Sequence, residues 1–191
     1  DITSFNKVLQ YMLDTEGREF SRDNVIDYLK KEYHEIANDT LYNYLEAFTT
    51  TFIMNKVYRY DVHGKNILKT LNKYYSNDLG IKQIKTNNQE SNHSVALENI
   101  VYNELLSRGY DVKVGNLENG EIDFIATRFK EKIYIQVAYI LADDSVIERE
   151  FGAFKNIEDN YPKYVLTMDK FDFSQNGIIH KNVIDWLLEE K

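Results

Sequence analysis

The sequence predicts an α/β protein in two parts, a helical module ending in a hairpin over residues 1–85 and an α/β layer structure over 86–191. Three observations carry this. Before residue 50, apolar residues recur at helical spacing in three short runs, and two extended runs follow around a His63-Gly64 turn. A polar stretch, "SNDLGIKQIKTNNQESNHS", then separates the halves. Beyond it, runs with helix and strand character follow in α-β-β-β-α-β order, which implies helices packed on a mixed sheet.

The elements read in order as follows. "TSFNKVLQYMLDTEG" sets Phe5, Val8, Leu9, Met12 and Leu13 on one helical face, with Thr3 or Ser4 as the expected cap and Gly17 as the stop. "SRDNVIDYLKKEY" begins at a capping Ser21 and packs Val25, Ile26 and Leu29. "NDTLYNYLEAFTT" begins at Asn38 or Asp39 and packs Leu41, Tyr44, Leu45 and Phe48. "FIMNKVYRYDV" and "NILKTLNKYY" form the hairpin. Three short helices and a two-stranded wing are the pattern of a winged helix, whose third helix would enter a major groove.

That third helix offers Asn38, Thr40, Tyr42 and Asn43 but no Arg or Lys, which makes it a poor recognition helix. The wing is more basic. Lys56, Arg59, Lys65, Lys69 and Lys73 face only Asp61, interleaved with Tyr58, Tyr60, Tyr74 and Tyr75. These five cations are the candidate DNA contacts, and a hairpin that merely packs other parts together is the alternative.

A domain boundary is expected near residue 85, with a flexible loop at 86–93 and His93 and Ser94 as loop and cap residues. "VALENIVYNELLSRG" then reads as a helix burying Val95, Leu97, Ile100, Val101 and Leu105, ended by Gly109. "YDVKVGN", "EIDFIATR" and "KIYIQVAYI" read as strands, the first two joined by a tight "ENGE" turn. "SVIEREFGAFKNI" reads as a helix, "YPKYVLTMD" as a strand and "VIDWLLEE" as a closing helix.

Composition narrows the function classes. The chain has 191 residues, is 43% hydrophobic and holds a single Pro, so a sizeable ordered core is expected. It has no Cys, which excludes disulfides and thiolate metal sites and fits a cytoplasmic location. No apolar run approaches the ~20 residues of a membrane helix, so no membrane partner is expected. The chain opens without Met inside its first helix and shows no signal-peptide pattern, as expected of a piece excised from a longer protein. Net charge is −8; residues 91–191 hold 18 acidic and 11 basic residues. That surplus of acid argues against a strong standing affinity of the second half for DNA, because phosphate neutralisation dominates such binding.

One constellation carries chemical meaning. Simple alternation in "EIDFIA" puts Glu121, Asp123 and Ile125 on one face and Ile122 and Phe124 on the other. In "KIYIQVAY", Lys132, Tyr134, Gln136 and Ala138 share a face. If these strands pair, Asp123 and Gln136 point at one spot, and Glu98 on the preceding helix offers a third oxygen. A carboxylate in an apolar strand is costly unless paired. Glu98, Asp123 and Gln136 are therefore candidate catalytic residues, with Asp123 and Glu98 as metal ligands; a buried hydrogen-bonded network without metal is the alternative.

The whole chain resembles the C-terminal region of a family of bacterial and archaeal AAA+ ATPases. The telling segments are "VYRYDVHGKNILKTLNKYY", "LENIVYNELLSRGYDVKVG", "EIDFIA", "IYIQVAY", "EREFGAFKNIEDNYPKYVLTMD" and "IIHKNVIDWLL". The resemblance implies a winged helix followed by a domain like the PD-(D/E)XK restriction-endonuclease fold. It also implies an ATPase module on the N-terminal side as partner. ATP belongs to that module, since no G-x-x-x-x-G-K-[ST] occurs here. By position, Glu98 matches the family's helix glutamate, Asp123 its aspartate and Gln136 its (D/E/Q) residue. Ala138 stands where the lysine belongs. Alanine cannot orient water or stabilise charge on a phosphoryl group, so the resemblance implies a nuclease fold without turnover, contacting DNA or a protein partner. A Mg²⁺-dependent nuclease would need a substitute cation, with Arg149 and Lys155 as the candidates and Lys113 also in range. Lys132 lies four residues from Gln136, about 13 Å along the strand.

Overall fold

The computed structural model describes residues 1–85, 93–118 and 120–189. The flexible loop expected at 86–93 falls, but for His93, outside the described residues, as does Asn119 of the "ENGE" turn. The protein is mixed α/β, with seven helices and one seven-stranded sheet among the described residues. It divides into two compact units: residues 1–57 with 70–91, and residues 58–69 with 92–191.

The first unit is built on α1 (Ile2–Asp14), α2 (Arg22–Lys31) and α3 (Asn38–Thr50). The predicted stripes become its core: Val8, Leu9, Met12 and Leu13 of α1 meet Val25 and Leu29 of α2 and Leu41, Leu45 and Phe48 of α3. Each such side chain, fully buried, contributes roughly 1.5–3 kcal/mol. Phe5 lays its ring edge-on to Phe48 at 4.9 Å. Ser21 caps α2 as expected, its side chain accepting the Asn24 N–H. Two caps differ from expectation. α1 is capped by Asp1, whose carboxylate accepts the N–H groups of Thr3 and Ser4. α3 starts after Ala37 with no side-chain cap.

Gly17 is not the stop of α1, which ends at Asp14 with Thr15 as its cap. Gly17 sits at φ 75°, where a Cβ is penalised, and donates its N–H to the Tyr74 carbonyl. The preceding Glu16 is buried, accepting the Ser76 N–H and a 2.9 Å ion pair from Lys82. Lys82 belongs to α4 (Leu79–Lys85), a short helix within the stretch that the sequence marked as a polar separator.

The hairpin of β1 (Met54–Asp61) and β2 (Asn66–Ser76) contributes to both units. Its outer part does not project as a free wing. Arg59, Tyr60 and Asp61 pair in parallel with Val114, Gly115 and Asn116 of β3 (Asp111–Leu117). Strand order is β2-β1-β3-β4-β5-β6-β7, with β4 (Gly120–Arg128), β5 (Glu131–Val137), β6 (Lys163–Thr167) and β7 (Ile179–Asn182). β3, β4 and β5 form an antiparallel meander; β5, β6 and β7 run parallel. β7 escaped the sequence reading because "IHKN" is too short and too polar to stand out.

α5 (His93–Ser107) packs on β3, β4 and β5, α6 (Asp144–Gly152) on β5, and α7 (Val183–Leu188) on β6 and β7. His93 and Ser94 lie in the first turn of α5, not in a loop. The buried side of α5 also departs from the expected one: Asn99 and Tyr102 are buried with Leu97, Val101 and Leu105, while Ile100 is exposed. Asn99 tolerates burial because its side-chain oxygen accepts from Asn103 at 2.9 Å.

Candidate functional site

The site is built where β4 and β5 stop pairing. Their ladder runs from Arg128 opposite Glu131 to Phe124 opposite Ile135 and goes no further. At the same place β4 is irregular against β3. Lys113 pairs with Ile125 and Gly115 with Ile122, so Asp123 and Phe124 together oppose the single residue Val114. This is a β-bulge, a device that re-aims side chains. Consequently Ile122 and Ile125 join the same core cluster, and the alternation expected through Asp123 is broken. Gly115 makes the bulge possible, since a Cβ there would come within 2.9 Å of the Ile122 side chain.

Across the gap the strands hold each other by side chains. The Asp123 N–H donates to Gln136 Oε1 at 2.8 Å, and the Val137 N–H donates to Asp123 Oδ2 at 2.7 Å. Gln136 donates its Nε2–H to Glu150 Oε2 of α6 at 3.3 Å. The other oxygen, Glu150 Oε1, accepts two bonds from Arg149, from Nε at 2.9 Å and Nη2 at 2.6 Å. Gln136 and Glu150 are buried, whereas the Arg149 side chain is 69% exposed. A buried carboxylate is thus neutralised by a guanidinium that stays largely in water.

The other predicted residues are placed as follows. Glu98 lies half-buried on α5. Ala138, the residue after β5, is buried and donates its N–H to the Leu166 carbonyl of β6. The next residue, Tyr139, stacks its ring on His93 at 5.1 Å. Of the substitute cations, Arg149 reaches the cluster through Glu150, while Lys155 lies 3.8 Å from Glu148 with both side chains over 70% exposed. Lys113 pairs with Asp111 and Lys132 with Asp159. Lys132 also lies over the Tyr134 ring, whose hydroxyl donates to Asp159. Burial pushes the Asp159 carboxyl up, but the Tyr134 hydroxyl and the Lys132 ammonium hold it below its ordinary range.

The five basic hairpin residues do not form one exposed face. Lys56, Lys65 and Lys69 are exposed. Lys73 is buried, with Tyr74 and Tyr75, because the inner half of β2 is part of the core. Arg59 donates to Asn116 on β3. Lys73 is therefore placed in the core and not at a surface where phosphates could meet it, while Arg59 is half-buried.

Two functional-looking groups were missed. Glu150 had a readable signal: in "VIEREFGAF", Ile147, Phe151 and Phe154 form an apolar stripe, and Glu150 occupies the remaining inward position. The second group is Thr167, Asp169 and His180. The Thr167 hydroxyl donates to Asp169 Oδ2 at 2.9 Å and meets His180 Nε2 at 2.8 Å. His180 Nδ1 accepts the Phe173 N–H, so the ring carries its proton on Nε2 and is neutral. Burial pushes its pKa down, although Asp169 and Asp172 act in the opposite sense. Asp169 Oδ2 also accepts the Leu141 N–H, tying the segment after β5 to β6 and β7. Nothing in the spacing of these residues announces their meeting.

No family model matches the chain, and no solved structure matches it. It is similar to an uncharacterized protein of Haemophilus influenzae, 34% identical over 190 residues. That alignment takes in 99% of this chain and 47% of the relative, so the chain spans about half the length of the curated relative it matches.

Proposed function

We propose that the second unit is a nuclease-like domain without nuclease chemistry, and that the chain is an accessory region of an AAA+ ATPase that contacts DNA or a protein partner. One observation carries this reading. Asp123 and Gln136 satisfy each other's strands, and Ala138, just past β5, is buried. The α-β-β-β-α-β order on a mixed sheet supports this reading. The relative's greater length leaves room for a separate ATPase module, which would be the part that binds ATP.

Mg²⁺ is the ion this resemblance implies, and the Asp123 carboxylate that would hold it already accepts the Val137 N–H through Oδ2. Mg²⁺ demands oxygen ligands in near-octahedral geometry. Among the described residues no three His, Asp or Glu side chains are gathered to hold a metal ion. The test is nicking of supercoiled plasmid in Mg²⁺ or Mn²⁺. Wild type and Asp123→Ala are expected to be equally inactive, and nicking that disappears in Asp123→Ala would overturn the reading.

A Mg²⁺-dependent nuclease with a displaced cation is the second reading. It is favoured by Arg149, which reaches the Asp123–Gln136 cluster through Glu150. Cleavage abolished by Arg149→Ala would establish it. In either reading DNA contact falls to Lys56, Lys65 and Lys69. Weak, salt-sensitive binding that Lys65→Glu reduces is expected, and binding unchanged in that variant would remove the hairpin from the interface.

A further inference from the structure

Away from the polar cluster, α6 borders a cavity of about 480 Å³, within the size range of small-molecule sites. Its floor is the edge of the second unit's core: Ile147, Phe151 and Phe154 from α6 and the segment after it, with Ile178 facing them. The Gln175–Ile178 turn walls the far side, its central Asn176 and Gly177 both at positive φ and its ends bonded N–H to carbonyl in both directions. Such a turn is fixed by its own backbone, so this wall is built without any ligand.

The cavity is polar at its rim. Asp144 stands at the start of α6, Glu148 and the Lys155 ammonium lie 3.8 Å apart along the rim, and Lys163 stands at the start of β6. Lys163 spends one donor on the Asp159 carbonyl and keeps two. Among the described residues the Lys155 ammonium has the long, solvent-exposed contact with Glu148. Lys163 can therefore meet an anion with the donors it has left, and an incoming carboxylate can draw Lys155 from its weak exposed contact with Glu148, which leaves Asp144 as the acid at the start of α6.

Gly152 supplies an independent observation. It is the last residue of α6 and lines the cavity, yet its φ is not in the positive region that demands glycine. A Cβ there would meet only the Lys155 side chain, at an ordinary 4.0 Å. Glycine in a helix costs roughly 0.5–1 kcal/mol relative to alanine. The backbone does not require this one; its effect is to leave the floor open beneath Lys155.

We propose that this cavity binds a small amphipathic anion, an alkyl or aromatic body lying along Ile147, Phe151 and Ile178 with its carboxylate between Lys155 and Lys163. The probe is decanoate, with decyltrimethylammonium as its cationic counterpart, titrated into the full chain by calorimetry and by amide chemical shifts. Decanoate is expected to bind one-to-one and to shift the amides of Gly152 and Asn176, with the cation binding about tenfold or more weakly. Gly152→Leu fills the floor and is expected to weaken decanoate by about tenfold. Lys155→Gln with Lys163→Gln is expected to erase the preference for the anion while leaving an apolar residue of binding. Thermal melts of each variant establish that it is folded, and Gly152→Ala serves in place of Gly152→Leu if the larger side chain unfolds the unit. Absence of decanoate binding, equal binding of the cation, or folded glycine variants that bind as wild type does would each overturn the proposal. So would binding of an apolar peptide at these amides where decanoate fails.

Discussion

Gln136 and Asp123 take the place of a missing rung of the sheet: the glutamine side chain accepts the aspartate's N–H, and the aspartate side chain accepts the N–H of Val137. Each residue uses its side chain to satisfy the other's strand. A polar pair in an apolar sheet is therefore required wherever the two strands separate, whether or not a ligand ever reaches it.

Removing half of this exchange has a defined outcome. Asp123→Ala leaves the Val137 N–H without its acceptor and is expected to destabilise the second unit by about 1–3 kcal/mol. The urea midpoint measures it. A midpoint equal to wild type would mean that the pair does not hold the strands.

Placing at position 138 the lysine that the nuclease resemblance calls for is expected to damage the protein. Ala138 is only 5% exposed, so Ala138→Lys must either bury an ammonium group or force the sheet apart. A loss of at least about 2 kcal/mol is expected, with no gain of plasmid nicking. Nicking by a stably folded Ala138→Lys would instead mean that a competent site was one residue away.

In the first unit, Glu16 joins β2 to α4 through Ser76 and Lys82. Its side chain has no exposure, while that of Lys82 keeps 25%. Glu16→Ala is expected to cost about 1.5–3 kcal/mol, the range for hydrogen bonds to a charged group. Glu16→Gln, which keeps an acceptor for Ser76, should cost less. Equal losses would place the whole effect in the ion pair.

His180 gives the fold a pH dependence. Its pKa is lower folded than unfolded, so the stability it contributes is complete above the unfolded value near 6.5. As pH falls below that value, the unfolded chain takes up a proton that the folded chain refuses. The contribution is therefore lost from about pH 6.5 down to the depressed folded pKa. Urea midpoints should fall through that window in wild type and stay flatter in His180→Gln. Parallel slopes would assign the loss to other groups.

The sequence revealed periodic elements and concealed the geometry that depends on long-range pairing. The stripes through Val8, Val25 and Leu45 predicted a real core, because helical spacing is a local property. That Asp123 and Gln136 lie near each other was also legible, since β4 and β5 are neighbouring antiparallel strands, but their side-chain bonds lie one step beyond the paired register. The bulge was not, because it depends on Gly115 of another strand. Lys73 looked like a surface cation because composition alone cannot tell which end of an eleven-residue strand is covered. Glu150 was visible as a charge on an apolar stripe, but its meaning required the position of Gln136.

The hairpin has a consequence for anyone who divides this protein. A fragment beginning at residue 93 would contain β3 through β7 and every residue of the polar cluster. It would also lack Arg59, Tyr60 and Asp61, the backbone that covers one side of β3. That bared strand would present unpaired amides and carbonyls to the next molecule, an invitation to aggregate. The shortest faithful version of the second unit must therefore carry residues 58–69, from the other side of the 85–93 interval, and an insoluble shorter piece would say nothing about the fold.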